Sequence, residues 1–134
     1  MKRIIFLILI GVNIMMAQVK SVDNNELVEL MKKGIVVIDI RREDEFKHFG
    51  IIEGSKTITF FDAVGDYDAH AWLAELEKYV KSKDEMFVIY CAHANRTKSI
   101  ATFLENQVGY KNVHELEGGI NYGWIDKGMG TVRY

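Results

Sequence analysis

The chain has 134 residues, 27% of them charged and 49% hydrophobic, with a formal net charge of -2. These proportions exclude an intrinsically disordered chain and fit one folded domain, since no low-complexity tract, internal repeat or Pro/Gly/Ser-rich linker divides the sequence. Lysines and arginines are scattered rather than gathered into a basic stripe, so nucleic acid is not an expected partner.

Lys2 and Arg3 precede an apolar stretch from Ile4 to Ala17 that contains no acid. A basic start, an apolar middle and a small residue before a cut is the layout of a secretory signal peptide. Residues 1–17 are therefore expected to direct export, with the periplasm as destination, and residues 18–134 to form the mature domain. The stretch is shorter than the roughly 20 residues a membrane-spanning helix needs. An uncleaved anchor is the alternative, and only through it would the protein meet a membrane. Removing Lys2 and Arg3 leaves the mature chain mildly acidic.

An extended piece at Val19 to Val22 leads to Asp23, which with Glu26 forms a capping-box pattern for a helix carrying Leu27, Val28, Leu30 and Met31 and closed by Gly34. Ile35 to Ile40 is a continuous apolar, β-branched run, the signature of a strand buried on both faces of a parallel sheet. The charged segment Arg41 to His48 predicts a short helix before Gly50 and Gly54. Thr57 to Phe60 predicts a strand, and the spacing of Ala71, Leu73, Leu76, Tyr79 and Val80 predicts a helix from about Ala69 to Ser82.

Met86 to Tyr90 predicts another buried strand, with Cys91 at its carboxyl end. Beyond a short loop, Ile100, Phe103 and Leu104 mark a helix that Gly109 ends. Asn112 to Leu116 is the last predicted strand, followed by Glu117-Gly118-Gly119 and a helical segment with Ile120 and Trp124. Strands alternating with helices predict an α/β fold with a central parallel sheet of about five strands and helices on both faces. Ligands of such sheets bind beyond the carboxyl ends of the strands, where both Asp39 and Cys91 fall.

Cys91 is the only cysteine, so it has no internal disulfide partner. A thiol placed after a buried strand and before a helix meets converging backbone N–H groups and the positive end of the helix dipole, a setting that favours a thiolate. Arg96 adds positive charge, and the small Ala92 and Ala94 leave room for the backbone to curl into an anion-binding nest. His93 either donates a proton or contributes only its backbone N–H. No further ligand stands at metal-binding spacing from Cys91 and His93, so no metal and no cofactor is expected. His48, His70 and His114 stand singly, and Trp72 and Trp124 sit on helical segments as packing residues.

The segment Val88-Ile89-Tyr90-Cys91 with Asn95-Arg96, then Gly109 to Val113 and Leu116-Glu117-Gly118-Gly119-Ile120 with Trp124, resembles the carboxyl half of a rhodanese-like domain. Val37 to Arg41 and Glu45-Phe46 resemble the family's amino half, and together they span nearly all of the chain after residue 17. The resemblance implies a sulfurtransferase in which Cys91 attacks the outer sulfur of a sulfane donor and holds it as a persulfide. It would then pass the sulfur to a thiol acceptor or acceptor protein. It further implies that the N–H groups of Ala92, His93, Ala94, Asn95 and Arg96 cradle the sulfur. Arg96 would close the loop, Asp39 and Arg41 would help to position it, and Glu117 and Gly118 would buttress it.

Related phosphatases and arsenate reductases use C-x5-R, whereas here Arg96 follows Cys91 by C-x4-R, a smaller cradle suited to sulfur. The family's Gly-His-Ile-Pro-Gly-Ala run is replaced by Gly50-Ile51-Ile52-Glu53-Gly54-Ser55, and Ala92 and Ala94 stand where an arginine and a glycine are usual. These departures motivate an alternative: a rhodanese-like module that binds a partner or carries sulfur without turnover.

Overall fold

The structure is a computed structural model that describes residues 19–134. The expected signal segment, residues 1–17, lies outside the described residues. Among them no helix is long and apolar enough to cross a membrane.

Five strands form one sheet in the order β1-β5-β4-β2-β3, and every adjacent pair is parallel. The strands are β1 (Lys20–Val22), β2 (Val36–Asp39), β3 (Lys56–Thr57), β4 (Phe87–Tyr90) and β5 (Val113–Leu116). The continuous apolar runs of β2 and β4 fill both faces of the sheet by the period-two alternation of strand side chains. Ile38, Phe87 and Ile89 pack on one side with Trp72 and Leu76 of α3 (Ala69–Leu76) and Ile100 of α4 (Arg96–Phe103). Val37, Val88 and Tyr90 pack on the other with Leu27 of α1 (Asn24–Lys32), Ile120 and Trp124. Helical segments therefore cover both faces, as expected.

The Asp23 and Glu26 capping box is formed, with Asp23 accepting from the Glu26 N–H at 2.8 Å. The charged segment becomes α2 (Glu43–Phe49), which ends at Gly50. Two elements are shorter than the sequence pattern predicts. The helix expected to reach Ser82 stops at Leu76, and the apolar periodicity continues through turns that keep Val80 buried. The strand expected over Thr57 to Phe60 is regular only at Lys56 and Thr57, because at the sheet edge Ile58 and Phe60 bond alternately to Asp39 and Ile40 of one neighbour only.

Gly50 has φ +75°, and a Cβ there would stand 2.6 Å from the Val132 carbonyl oxygen. Only glycine permits that approach. The next residue, Ile51, exchanges two hydrogen bonds of 3.0 and 2.9 Å with Val132, so the run that departs from the family pattern anchors the carboxyl terminus.

Candidate active site

β4 delivers Cys91 to the carboxyl edge of the sheet, between the strand ends of β2 and β5. The residues from Ala92 to Asn95 then bend back to start α4 at Arg96. Ala94 has φ +62°, the one non-glycine residue in the left-handed region among the described residues. That reversal makes the loop a concave nest. Among the described residues, the N–H groups of Ala92, His93, Ala94, Asn95 and Arg96 find no protein acceptor. A run of free N–H groups at a helix start is an anion site by its own dipoles.

The loop is held from two sides. From below, the N–H groups of Ile120 and Asn121 donate to the carbonyls of Cys91 (2.9 Å) and Ala92 (3.0 Å). Gly119 packs so closely that a Cβ on it would lie 2.5 Å from both oxygens. Glu117 and Gly118, the residues expected to buttress the loop, lie against Gly123, and the close contacts to the loop carbonyls come from Gly119, Ile120 and Asn121. From the side, Arg96 makes two bonds to Glu45 of α2, at 2.6 and 2.7 Å. Burial pushes the Glu45 carboxyl up, but Arg96 and the Arg42 N–H outweigh it and hold it below the usual carboxylate range. Arg96 in turn is raised, first by its bond to Glu45 and further by Cys91, against the opposing pull of burial.

Cys91 is almost fully buried, and its Sγ lies 3.7 Å from the hydroxyl of Thr97. Thr97 donates to Glu115 Oε2 at 2.5 Å, and Glu115 is also bonded by the Lys98 ammonium. An open groove of about 490 Å³ runs beside the loop, lined by Ala92, His93 and Asn121 on one side and by Glu45, His48 and Phe49 of α2 on the other. His93 is exposed there, its ring 4.3 Å from that of Tyr122 and its Nε2 3.4 Å from the Asn121 amide.

Asp39 and Arg41 form a fully buried pair, with contacts of 3.0 and 2.7 Å, and Arg41 also donates to the Gly50 carbonyl at 2.7 Å. Burial raises the Asp39 pKa against the opposing pull of Arg41. Arg41 therefore does not reach the rim of the groove. It pins the end of β2 to the end of α2, and so fixes the helix from which Glu45 reaches the loop.

Glu45, Thr97, Glu115 and Gly119 were not singled out as site residues by the sequence reading. For Glu115 a signal existed: it shares the strand parity of the buried Val113, so a charge was aimed inward. Glu45 stands in the Glu45-Phe46 pair that carries part of the resemblance, but nothing in sequence shows its pairing with Arg96, which spans distant parts of the chain. Among the described residues no cluster of three or more histidine, cysteine or acidic side chains is placed to hold a metal.

The family model for the rhodanese-like domain matches residues 23–126. The thiosulfate sulfurtransferase GlpE of Ectopseudomonas mendocina is 31% identical over 104 residues, 78% of this chain and 84% of that protein. A rhodanese-related protein from Thermoplasma volcanium superposes with a TM-score of 0.59 at 30% identity, over 84% of this chain and 97% of that one. A protein from Rhodopseudomonas palustris, described as a possible tyrosine phosphatase, has a TM-score of 0.61 at 26% identity and covers 85% of each chain.

Proposed function

Because this chain belongs to the rhodanese-like family, we propose that it is a sulfurtransferase that carries sulfane sulfur as a persulfide on Cys91, between a donor and a thiol acceptor. The observation that carries this reading is the set of free N–H groups from Ala92 to Arg96 curled beyond the only cysteine of the chain. A thiolate or persulfide is a compact anion, and such a nest stabilises it without ordering water or a metal.

The same geometry favours sulfur over phosphate. Four residues separate Cys91 from Arg96, and the guanidinium fork is already committed to Glu45 rather than free for a tetrahedral oxyanion. With Ala92 in the loop and Arg96 neutralised, little net positive charge meets a dianionic donor. Thiosulfate, polysulfide or a low-molecular-weight persulfide is the expected donor class. Export of the mature domain to the periplasm is part of this reading and rests on residues 1–17.

Intact mass spectrometry tests it. Incubation with thiosulfate, polysulfide or glutathione persulfide should, with at least one of these donors, add the mass of one sulfur to the wild type and nothing to Cys91→Ser. A free Cys91 thiol and no added sulfur with any donor would sink it. A wild type that loads sulfur but never delivers it to a thiol acceptor would point to the sulfur-carrier module instead.

A further inference from the structure

A carboxylate is a costly neighbour for a sulfur nucleophile, and Glu115 is one. It is 3% exposed and comes from β5, on the face of the sheet that carries Cys91 and α4. Its Oε2 accepts the hydroxyl of Thr97, and the same hydroxyl oxygen lies 3.7 Å from Cys91 Sγ. Thr97 has one hydroxyl proton. With that proton given to Glu115, the oxygen presents a lone pair to the sulfur, so it accepts the S–H proton of a thiol.

Resting on the sulfurtransferase reading above, we propose that Glu115 is a positioning residue that shares one proton with Cys91 through Thr97: it takes the thiol proton as the persulfide forms and returns it when the sulfur leaves. With thiosulfate as the donor, the Cys91 sulfur forms a bond to the outer sulfur while the sulfur–sulfur bond of the donor breaks and its electron pair leaves on sulfite. The S–H proton moves to Thr97, whose own proton moves to Glu115. The site then holds a persulfide anion beside a neutral carboxylic acid, and the number of negative charges within it is unchanged. An acceptor thiolate next attacks the outer sulfur and leaves as its persulfide, and the Cys91 thiolate recovers the proton by the reverse path.

Two anions side by side in a buried site repel, so one proton between them is the low-energy arrangement. Of the charged groups around the relay, the Lys98 ammonium opposes protonation of Glu115, because it favours the carboxylate, so the gain from separating two anions has to outweigh that bond. Lys98 and Arg96 come from α4, and Lys98 bonds the outer oxygen of Glu115. Arg96 is paired with Glu45 of α2. The strands flanking β5 place Ile89 and Ser21 in register with Glu115, and neither is charged.

The test follows the ultraviolet thiolate absorbance of Cys91 against pH, with Cys91→Ser as the blank, together with single-turnover sulfur loading read by intact mass. Glu115→Gln removes the competing charge, so the ionisation midpoint of Cys91 should fall by about one pH unit or more. Thr97→Val breaks the relay and should slow loading by about a hundredfold below that midpoint, while Thr97→Ser, which keeps the hydroxyl, should stay near wild type. An unchanged midpoint in a folded Glu115→Gln protein overturns the proposal, as does equal loading by the Val and Ser variants. If Glu115→Gln does not fold, the Val and Ser comparison decides. If the wild type loads no sulfur, the sulfurtransferase reading fails, and the thiolate midpoints still decide whether Glu115 and Cys91 share a proton.

Discussion

Arg96 and Glu45 are joined by two parallel N–H···O bonds of 2.6 and 2.7 Å, and through them the loop after Cys91 is fixed to helix α2. A planar fork meeting a carboxylate sets direction as well as distance. Replacing Arg96 by Lys keeps the charge but not the fork. Arg96→Lys is expected to fold and to load sulfur about tenfold more slowly than wild type in a single-turnover mass assay. Equal rates would show that only the charge matters.

The same pair gives the stability an acid limit. Glu45 titrates below its ordinary value in the folded protein. Its contribution is therefore fully present above the carboxylate range of the unfolded chain, and is lost as the pH falls through the lower, folded value. Urea titrations should show Glu45→Gln less stable than wild type by about 1 kcal/mol at neutral pH. The gap should close on acidification below that range, and a gap that persists there would refute the assignment.

Arg41 is expected to behave as a structural pin. Removing it leaves Asp39 charged, buried and unpaired, so Arg41→Met should cost about 3–5 kcal/mol in urea unfolding. Adding Asp39→Asn to Arg41→Met should recover part of the loss, because the orphaned charge disappears. If the double variant is no better than the single one, the burial of Asp39 is not the source of the cost.

The left-handed conformation of Ala94 strains an L-residue by about 1–2 kcal/mol, against the extra chain entropy that glycine brings to the unfolded state. Ala94→Gly should thus be neutral to stabilising by about 1 kcal/mol, with sulfur loading retained. Ala94→Val should lose about 2 kcal/mol and most of the loading, because a β-branched residue is pushed out of that region. Thermal unfolding and loading measured on both variants check the pair of expectations.

Gly119 is the tightest contact of the site. A methyl group there would stand 2.5 Å from the carbonyl oxygens of Cys91 and Ala92, and φ is +66°. Gly119→Ala is expected to push the loop off its support, costing about 1–3 kcal/mol and at least tenfold in sulfur loading. Gly34→Ala serves as the control, since it has the same sign of φ (+83°) but open space around it, and should leave loading unchanged.

The fold was legible because its information is local. The runs of β2 and β4 carry apolar residues on both parities, and the capping box at Asp23, the stop at Gly109 and the regular alternation of strand and helix each depend on neighbours in sequence. Element ends were less legible. Val80 keeps the helical spacing of its segment, yet it is buried by a turn rather than by a further turn of α3. Burial, not helicity, is what the spacing reported.

By itself the sequence determined which atom is the candidate nucleophile and how long its loop is, because Cys91 is unique and the count to Arg96 is fixed by the covalent chain. Only the tertiary structure decided what surrounds that atom. Glu45 precedes Cys91 by a long stretch of chain while Glu115, Gly119 and Asn121 follow it from the end of the last strand and the segment after it, and the parallel sheet brings both stretches to one edge. A carboxylate in a sequence carries no sign of whether it will face water, an arginine or a thiol. Packing sets that, and with it the electrostatics of the sulfur.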